Sequence, residues 1–247
     1  SASGFAGMDA PILQDVLKIE NVHIANASSV YATPIAHYVF SQILRWNKRI
    51  DHHIEYQQSK NWAPIAGDGE LTNKTLVILG YGGIGSQVAK LGKAFGMRVT
   101  GIRRNPQDDE HADEVLGLDR FEELLPLTDY LVLSLPDSSQ TRDIINSDIL
   151  EKINSSAMLI NVGRGTAINE DDLTDALNDG KIAAAALDTT KVEPLDANSS
   201  LWTAKNCFIS AHDSAHSLLS LERAFELFFQ NIKNIKDGNQ IVNLYSE

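Results

Sequence analysis

The chain reads as an α/β protein, a doubly wound parallel sheet joined to an incomplete second, smaller lobe. Three observations carry that reading. The apolar run TLVIL at 75–79 stops at Gly80, where Gly80-Tyr81-Gly82-Gly83-Ile84-Gly85 satisfies G-x-G-x-x-G. A helical segment follows to about Phe95, and 97–102 supplies a second short apolar strand. Further along, apolar runs alternate with helical patterns, as in a parallel sheet covered on both faces.

Taken in order, 22–25 reads as a short strand. Thr33-Pro34 marks a helix start, Thr as N-cap and Pro in the first turn. From Ile35 to about Gln58 the pattern is one long helix, with Ile35, Val39, Ile43 and Trp46 on a single apolar stripe. The strand-loop-helix unit begins after 67–69. Strands are then expected at 130–135, 157–162, 182–187 and 207–211. Helices are expected near 147–153 and 170–178, the second closed by Gly180. The last helix, about 218–235, carries Leu221, Ala224, Phe225, Phe228 and Phe229 and needs an apolar surface to dock on.

The glycine loop implies a dinucleotide. Gly80 allows the tight turn, Gly82 lets a pyrophosphate approach the backbone, and Gly85 lets the helix pack closely on the strand. The helix N-terminus offers amide N–H groups and its positive dipole end to the phosphates. A free ribose 2′-hydroxyl is usually held by an acid about 20 residues after the first glycine. Here Arg103 and Arg104 stand at the strand end, and the next acid, Asp108, lies further along. Two guanidinium forks suit a 2′-phosphate, so NADP is the expected cofactor and NAD the second choice.

Composition bounds the rest. With 247 residues, 43% of them hydrophobic, the chain has room for one large or two modest domains. Twenty-one Lys and Arg against 33 Asp and Glu leave a net charge of −12, unfavourable for nucleic acid or an anionic membrane. The single Cys207 precludes an internal disulfide and fits a reducing compartment such as the cytoplasm. No apolar run approaches the roughly 18 residues of a membrane span. The chain opens SASGFAGMDAPIL with no initiating Met and reads as a fragment.

In an open α/β sheet, ligands gather beyond the carboxyl ends of the strands. Gly163-Arg164-Gly165 follows the strand at 157–162; Asp188 and then Glu193-Pro194 follow 182–187; His212 and Asp213 follow 207–211. A 2-oxo acid reductase could use that set. Arg would anchor a carboxylate through its fork, His would deliver a proton as hydride reaches carbon, and the acid would orient that His and favour its charged form. His212-x-x-x-His216 beside Asp213 suggests a metal pair, but no third ligand follows at a suitable spacing, and no metal is expected. A nucleotide-sensing binding protein remains open as a second reading. A methyltransferase is disfavoured, because no acid closes the second strand.

These residues carry a resemblance. LINVGRGTAINEDDLTDALNDGKIAAAALD, DTTKVEPL and NCFISAHDSA resemble three segments of the D-2-hydroxyacid dehydrogenase family. The resemblance implies that Arg164, Glu193 and His212 match its catalytic Arg, Glu and His. It implies a cofactor site drawing on Gly83, Ile84, Pro136 and Val162 as well as the residues above, with Asp188 by the nicotinamide carboxamide. Phe5-Ala6-Gly7-Met8-Asp9 is similar to the family's Gly-Ala-Gly-Val-Asp, so Ala6 and Gly7 would hold the substrate carboxylate along with Arg164 and His212. Arg103 falls where NAD-dependent members carry Asp. The family implies a homodimer and a small 2-oxo or 2-hydroxy acid substrate. Members resembling glyoxylate/hydroxypyruvate reductases fit the Arg pair, phosphoglycerate oxidation less well. Ala211 replaces the Pro before the catalytic His, Thr190 replaces an aromatic residue, and His37 stands where an acid is common. The nucleotide domain would span 33–222. Residues 1–32 and 223–247 would form a remnant of the substrate domain, near the lower bound of roughly 50 residues for an independent unit.

Overall fold

The computed structural model describes residues 15–16, 18–19, 22, 24–65 and 69–244. Its centre is a seven-stranded sheet: β1 (Thr75–Leu79), β2 (Arg98–Ile102), β3 (Glu114–Leu116), β4 (Tyr130–Leu133), β5 (Met158–Asn161), β6 (Ala184–Leu187) and β7 (Cys207–Ile209). The spatial order is β3-β2-β1-β4-β5-β6-β7 and every pairing is parallel. Chain direction across the sheet reverses between β1 and β4. In α/β sheets ligands bind beyond the carboxyl ends of the strands at such a reversal.

The strands are apolar throughout because both faces are covered. In β1, Leu76 and Ile78 face one layer while Val77 and Leu79 face the other. The first layer holds α1 (Ser28–Asn47) and α3 (Gly83–Ala94); Ile35, Val39, Ile43 and Val88 meet Leu76, Ile78, Val99 and Val132 there. The second holds α4 (Phe121–Leu124), α5 (Ser147–Lys152) and α6 (Glu170–Asp179), through Phe121, Leu150, Leu173 and Leu177. Each such Leu or Ile, taken fully out of water, contributes about 1.5–3 kcal/mol. Asn146 and Asn169 cap α5 and α6 by accepting the Ile149 and Asp172 amides, and Gly180, at φ +73°, ends α6.

Several expectations need correction. The long helix is two helices: α1 ends at Asn47 and α2 (Ile50–Gln58) starts after Arg49, whose φ is +54°. The apolar stripe explains the break, since α2 buries none of its residues and the seat that fixes the axis of α1 does not extend to it. Arg45 spans the break with a 2.7 Å ion pair to Asp51. Nor is Thr33 the N-cap. The helix begins at Ser28 after Ala27, which places Pro34 inside it. The Val30 carbonyl therefore lacks the helical partner that Pro cannot supply. In the expected strand 22–25, Ala25 makes one antiparallel bridge to Leu244, Val22 and Ile24 lie in no strand, and His23 lies outside the described residues. Strand β3 and helix α4 were not expected; three and four residues are too short to show a period.

The last helix, α7 (Ser220–Lys236), rests against α1 through part of its surface. Asn231 donates its amide to the Val242 carbonyl at 3.0 Å and accepts the Val242 N–H at 2.8 Å, which turns the chain back toward Asn26. The Asn26 N–H then donates to the Asn243 carbonyl. Leu221, Phe225, Phe228, Phe229, Ile232 and Ile235 stay exposed.

Candidate active site

The glycine loop lies at the reversal point. The Gly80 and Tyr81 amides both donate to the Ile102 carbonyl, at 3.0 and 2.8 Å, so the loop is hooked onto the end of β2. Gly80 sits at φ +100°, and a Cβ there would come within 2.8 Å of the Ser134 backbone. A Cβ on Gly85 would lie 3.1 Å from Ile78 and 3.2 Å from the Gly80 carbonyl. At Gly82 a Cβ would meet nothing within 4 Å, and no side chain caps α3 there. Open space beside an uncapped helix N-terminus suits a pyrophosphate, so the loop fits a dinucleotide.

Strand β2 pairs with β1 so that Ile102 stands level with Leu79. Arg103 therefore emerges beside the glycine loop. Its amide donates to the Leu116 carbonyl at 3.0 Å, and Arg104 reaches Gln140 Oε1 at 3.3 Å. Gly101 makes this approach possible, because a Cβ there would lie 2.2 Å from the Tyr81 ring. Burial and the nearby Asp109 push the Tyr81 phenol up to about 12. Ile84 is half-buried in the α1–α3 layer, Val162 is buried one residue past β5, and Pro136 follows β4 in a loop closed by Thr141 Oγ1 on its carbonyl.

The loops after β5, β6 and β7 bring Arg164, Glu193 and His212 to one edge of the sheet. Asn161, fully buried, shapes the first: it accepts the Gly163 amide and donates to the Arg164 carbonyl, both at 3.1 Å. The Arg164 guanidinium donates to the Gly163 carbonyl at 3.0 Å. A Cβ on Gly165 would fall 1.9 Å from the Thr190 backbone, so only glycine lets these two loops meet.

Glu193 is gripped from both ends. Its Oε1 accepts the Thr190 amide at 3.2 Å, and its Oε2 lies 2.8 Å from His212 Nδ1. With Nδ1 engaged by a carboxylate, Nε2 is the ring nitrogen left to meet a ligand. Both side chains remain two-fifths or more exposed, so a ligand can reach the pair. His212 is also strained, at φ +54°. A non-glycine residue in that region costs about 1–3 kcal/mol and needs surrounding contacts to hold it.

Thr190 closes its own turn by donating Oγ1 to the Val192 carbonyl at 2.9 Å. Asp188 is 1% exposed, and its carboxylate is turned to the 210–214 loop, accepting from Ser210, Asp213 and Ser214. His37 is exposed on α1. His216 donates its amide back to Asp213, and among the described residues no three His, Cys, Asp or Glu side chains cluster as a metal site. Ala6 and Gly7 lie outside the described residues. Asn161, Tyr38 and Ser210 escaped the sequence reading. Only Asn161 left a signal, a polar residue ending an apolar strand.

An α/β sheet with a glycine-loop crevice, an arginine pair at the second strand and an Arg/Glu/His edge defines a nicotinamide-dependent oxidoreductase in class. Comparison with known proteins sharpens this. Residues 40–214 match the family model described as D-isomer specific 2-hydroxyacid dehydrogenase, NAD binding domain. The chain belongs to the D-2-hydroxyacid dehydrogenase family. It is 33% identical over 233 residues to a glyoxylate reductase of Aeropyrum pernix, covering 90% of this chain and 69% of that protein. Among solved structures, a D-isomer specific 2-hydroxyacid dehydrogenase family protein from Aeromonas salmonicida superposes with a TM-score of 0.85 at 31% identity, over 99% of this chain and 77% of that one. A probable 2-hydroxyacid dehydrogenase from Rhizobium etli, in complex with NADP, HEPES and L(+)-tartaric acid, gives 0.85 at 26% identity, with the same coverage.

Proposed function

We propose that the protein uses NADPH to reduce a small 2-oxo acid of the glyoxylate or hydroxypyruvate kind to the D-2-hydroxy acid. The observation that carries this reading is the 2.8 Å contact between His212 Nδ1 and Glu193, beside the Arg164 loop at the mouth of the sheet. When bound, the cofactor supplies the hydride. His212 delivers a proton from Nε2 to the carbonyl oxygen, where negative charge develops, and Glu193 holds the ring in that tautomer. Arg164 pairs with the substrate carboxylate. Arg103 and Arg104 bind the ribose 2′-phosphate, and Gly80, Gly82, Gly83, Ile84 and Gly85 hold the pyrophosphate. Pro136, Val162 and Asp188 frame the nicotinamide end.

In this reading residues 33–222 form the nucleotide unit, while 1–32 and 223–247, with Ala6 and Gly7, contribute to the substrate lobe. The protein works as a homodimer in the cytoplasm. The glyoxylate reductase name of the Aeropyrum relative and the NADP in the Rhizobium structure support this choice over an NAD-dependent phosphoglycerate-type dehydrogenase or a non-catalytic nucleotide sensor.

The test is oxidation of NADPH and NADH, followed at 340 nm, with glyoxylate, hydroxypyruvate and 3-phosphohydroxypyruvate. Turnover of the first two with NADPH preferred is expected. A preference for NADH with the phosphorylated acid would establish the dehydrogenase alternative, and nucleotide binding without turnover would establish the sensor.

A further inference from the structure

His212 stands on a strained backbone, and one buried carboxylate holds the loop around it. The Asp188 carbonyl accepts the His212 amide at 2.9 Å. Its side chain accepts the Asp213 amide at 3.0 Å and the Ser214 amide at 3.1 and 3.2 Å, so the backbone is tied at His212 and at both residues after it. Asp188 Oδ1 also accepts the Ser210 hydroxyl at 2.7 Å, two residues before His212.

That bond fixes the direction of the next one. A serine hydroxyl has one proton, and here it goes to the carboxylate, so the 2.7 Å contact between Ser210 Oγ and Tyr38 Oη is donated by the tyrosine. Burial pushes the Tyr38 phenol up to about 12, which keeps it a donor across the working pH range. Tyr38 projects from α1, between the buried Ala36 and Val39, and so stands on a helix held by the core of the sheet. Ala211, in the middle of this loop, has none of the stiffness a proline would supply.

We propose that Tyr38 and Ser210 are positioning residues for His212. They transmit the rigidity of α1, through Asp188, to the loop that sets the imidazole against Glu193. The proposal rests on the reading of His212 as proton donor, but one arm of its test does not depend on turnover. Tyr38→Phe removes one hydroxyl and keeps the ring, and Ser210→Ala removes the middle of the chain. Ser210→Thr restores a hydroxyl there.

Two quantities are measured for these variants and for the double variant. One is the 15N signal of His212 Nδ1 in the protein without substrate, assigned by its loss in His212→Asn. The other is kcat and KM for glyoxylate with NADPH. Losing a neutral hydrogen bond in a serial chain should lower kcat by about three- to tenfold in Tyr38→Phe. The KM for NADPH should stay within about twofold, and the Nδ1 signal should move. Ser210→Ala, which also removes the bond to the Asp188 carboxylate, should move the signal and lower kcat at least as far, Ser210→Thr should recover most of the loss, and the double variant should be no worse than Ser210→Ala alone. An Nδ1 signal unmoved by Tyr38→Phe would overturn the proposal, as would full additivity in the double variant. Full turnover by His212→Asn would overturn the donor assignment alone, and the Nδ1 signal would still decide whether Tyr38 and Ser210 position the ring.

Discussion

Arg103 leaves β2 level with the glycine loop, where one guanidinium can decide between two cofactors. A charge-assisted hydrogen bond is worth about 1.5–3 kcal/mol. Arg103→Ala should therefore weaken NADPH binding by roughly ten- to a hundredfold and leave NADH nearly unchanged, as fluorescence titration of each nucleotide would show. Equal losses for both would remove Arg103 from the 2′-phosphate site. Cys207 offers a second test at this scale. Burial pushes its thiol up to about 12, and only the thiolate reacts. Iodoacetamide at pH 8 should label the native protein far more slowly than the urea-unfolded chain. The same shift has a stability consequence of fixed sign. The unfolded chain releases this proton first, so the contribution is complete below the ordinary thiol range and is lost as pH rises toward 12. Native labelling as fast as unfolded would show that the thiol is not held protonated.

At the scale of elements, what was legible tracks how local the cause is. The glycine loop, β1 and the Asn-capped helices α5 and α6 are written in contiguous residues, and their placement follows from spacing alone. The Arg49 break in α1–α2 was not legible, because it depends on where the sheet stops offering an apolar surface. Strand β3 exists through its pairing with β2 rather than through any period of its own. The three strand-end side chains could be listed from the sequence, yet the support behind His212 could not. Tyr38 and Ser210 are 172 residues apart, and neither residue type signals the other. Helix α1 is the element on which that support stands, and its stripe was legible. Ile43, fully buried there, gives a direct measure of how firmly the helix is seated. Ile43→Ala should cost about 2–5 kcal/mol in urea unfolding. A loss under 1 kcal/mol would mean that α1 is only loosely packed on the sheet.

For the whole molecule, the sheet and its two layers account for the core, while α7 leaves an aromatic face uncovered. Leu221, Phe225, Phe228, Phe229 and Ile232 recur at helical spacing, all exposed, with the Phe229 ring against those of Phe225 and Phe228, and such faces bind hydrophobic dyes. The native protein should therefore enhance anilinonaphthalene sulfonate fluorescence, and Phe225→Ser with Phe229→Ser should abolish most of that signal without lowering Tm. Dye binding that survives both changes would place the apolar surface elsewhere.

The bridge between Ala25 and Leu244 bears on timing during synthesis. All seven strands lie between Thr75 and Ile209, so the sheet can pair while the remaining residues are still within or near the ribosome. The clasp at Ala25 has to wait for Leu244 to emerge. Until then α1, made before all seven strands, lacks the tether at its leading end. A chain cut short before Leu244 would carry a finished sheet with α1 already seated on it and only the stretch at 24–27 left unclasped, which chaperones and proteases would meet first.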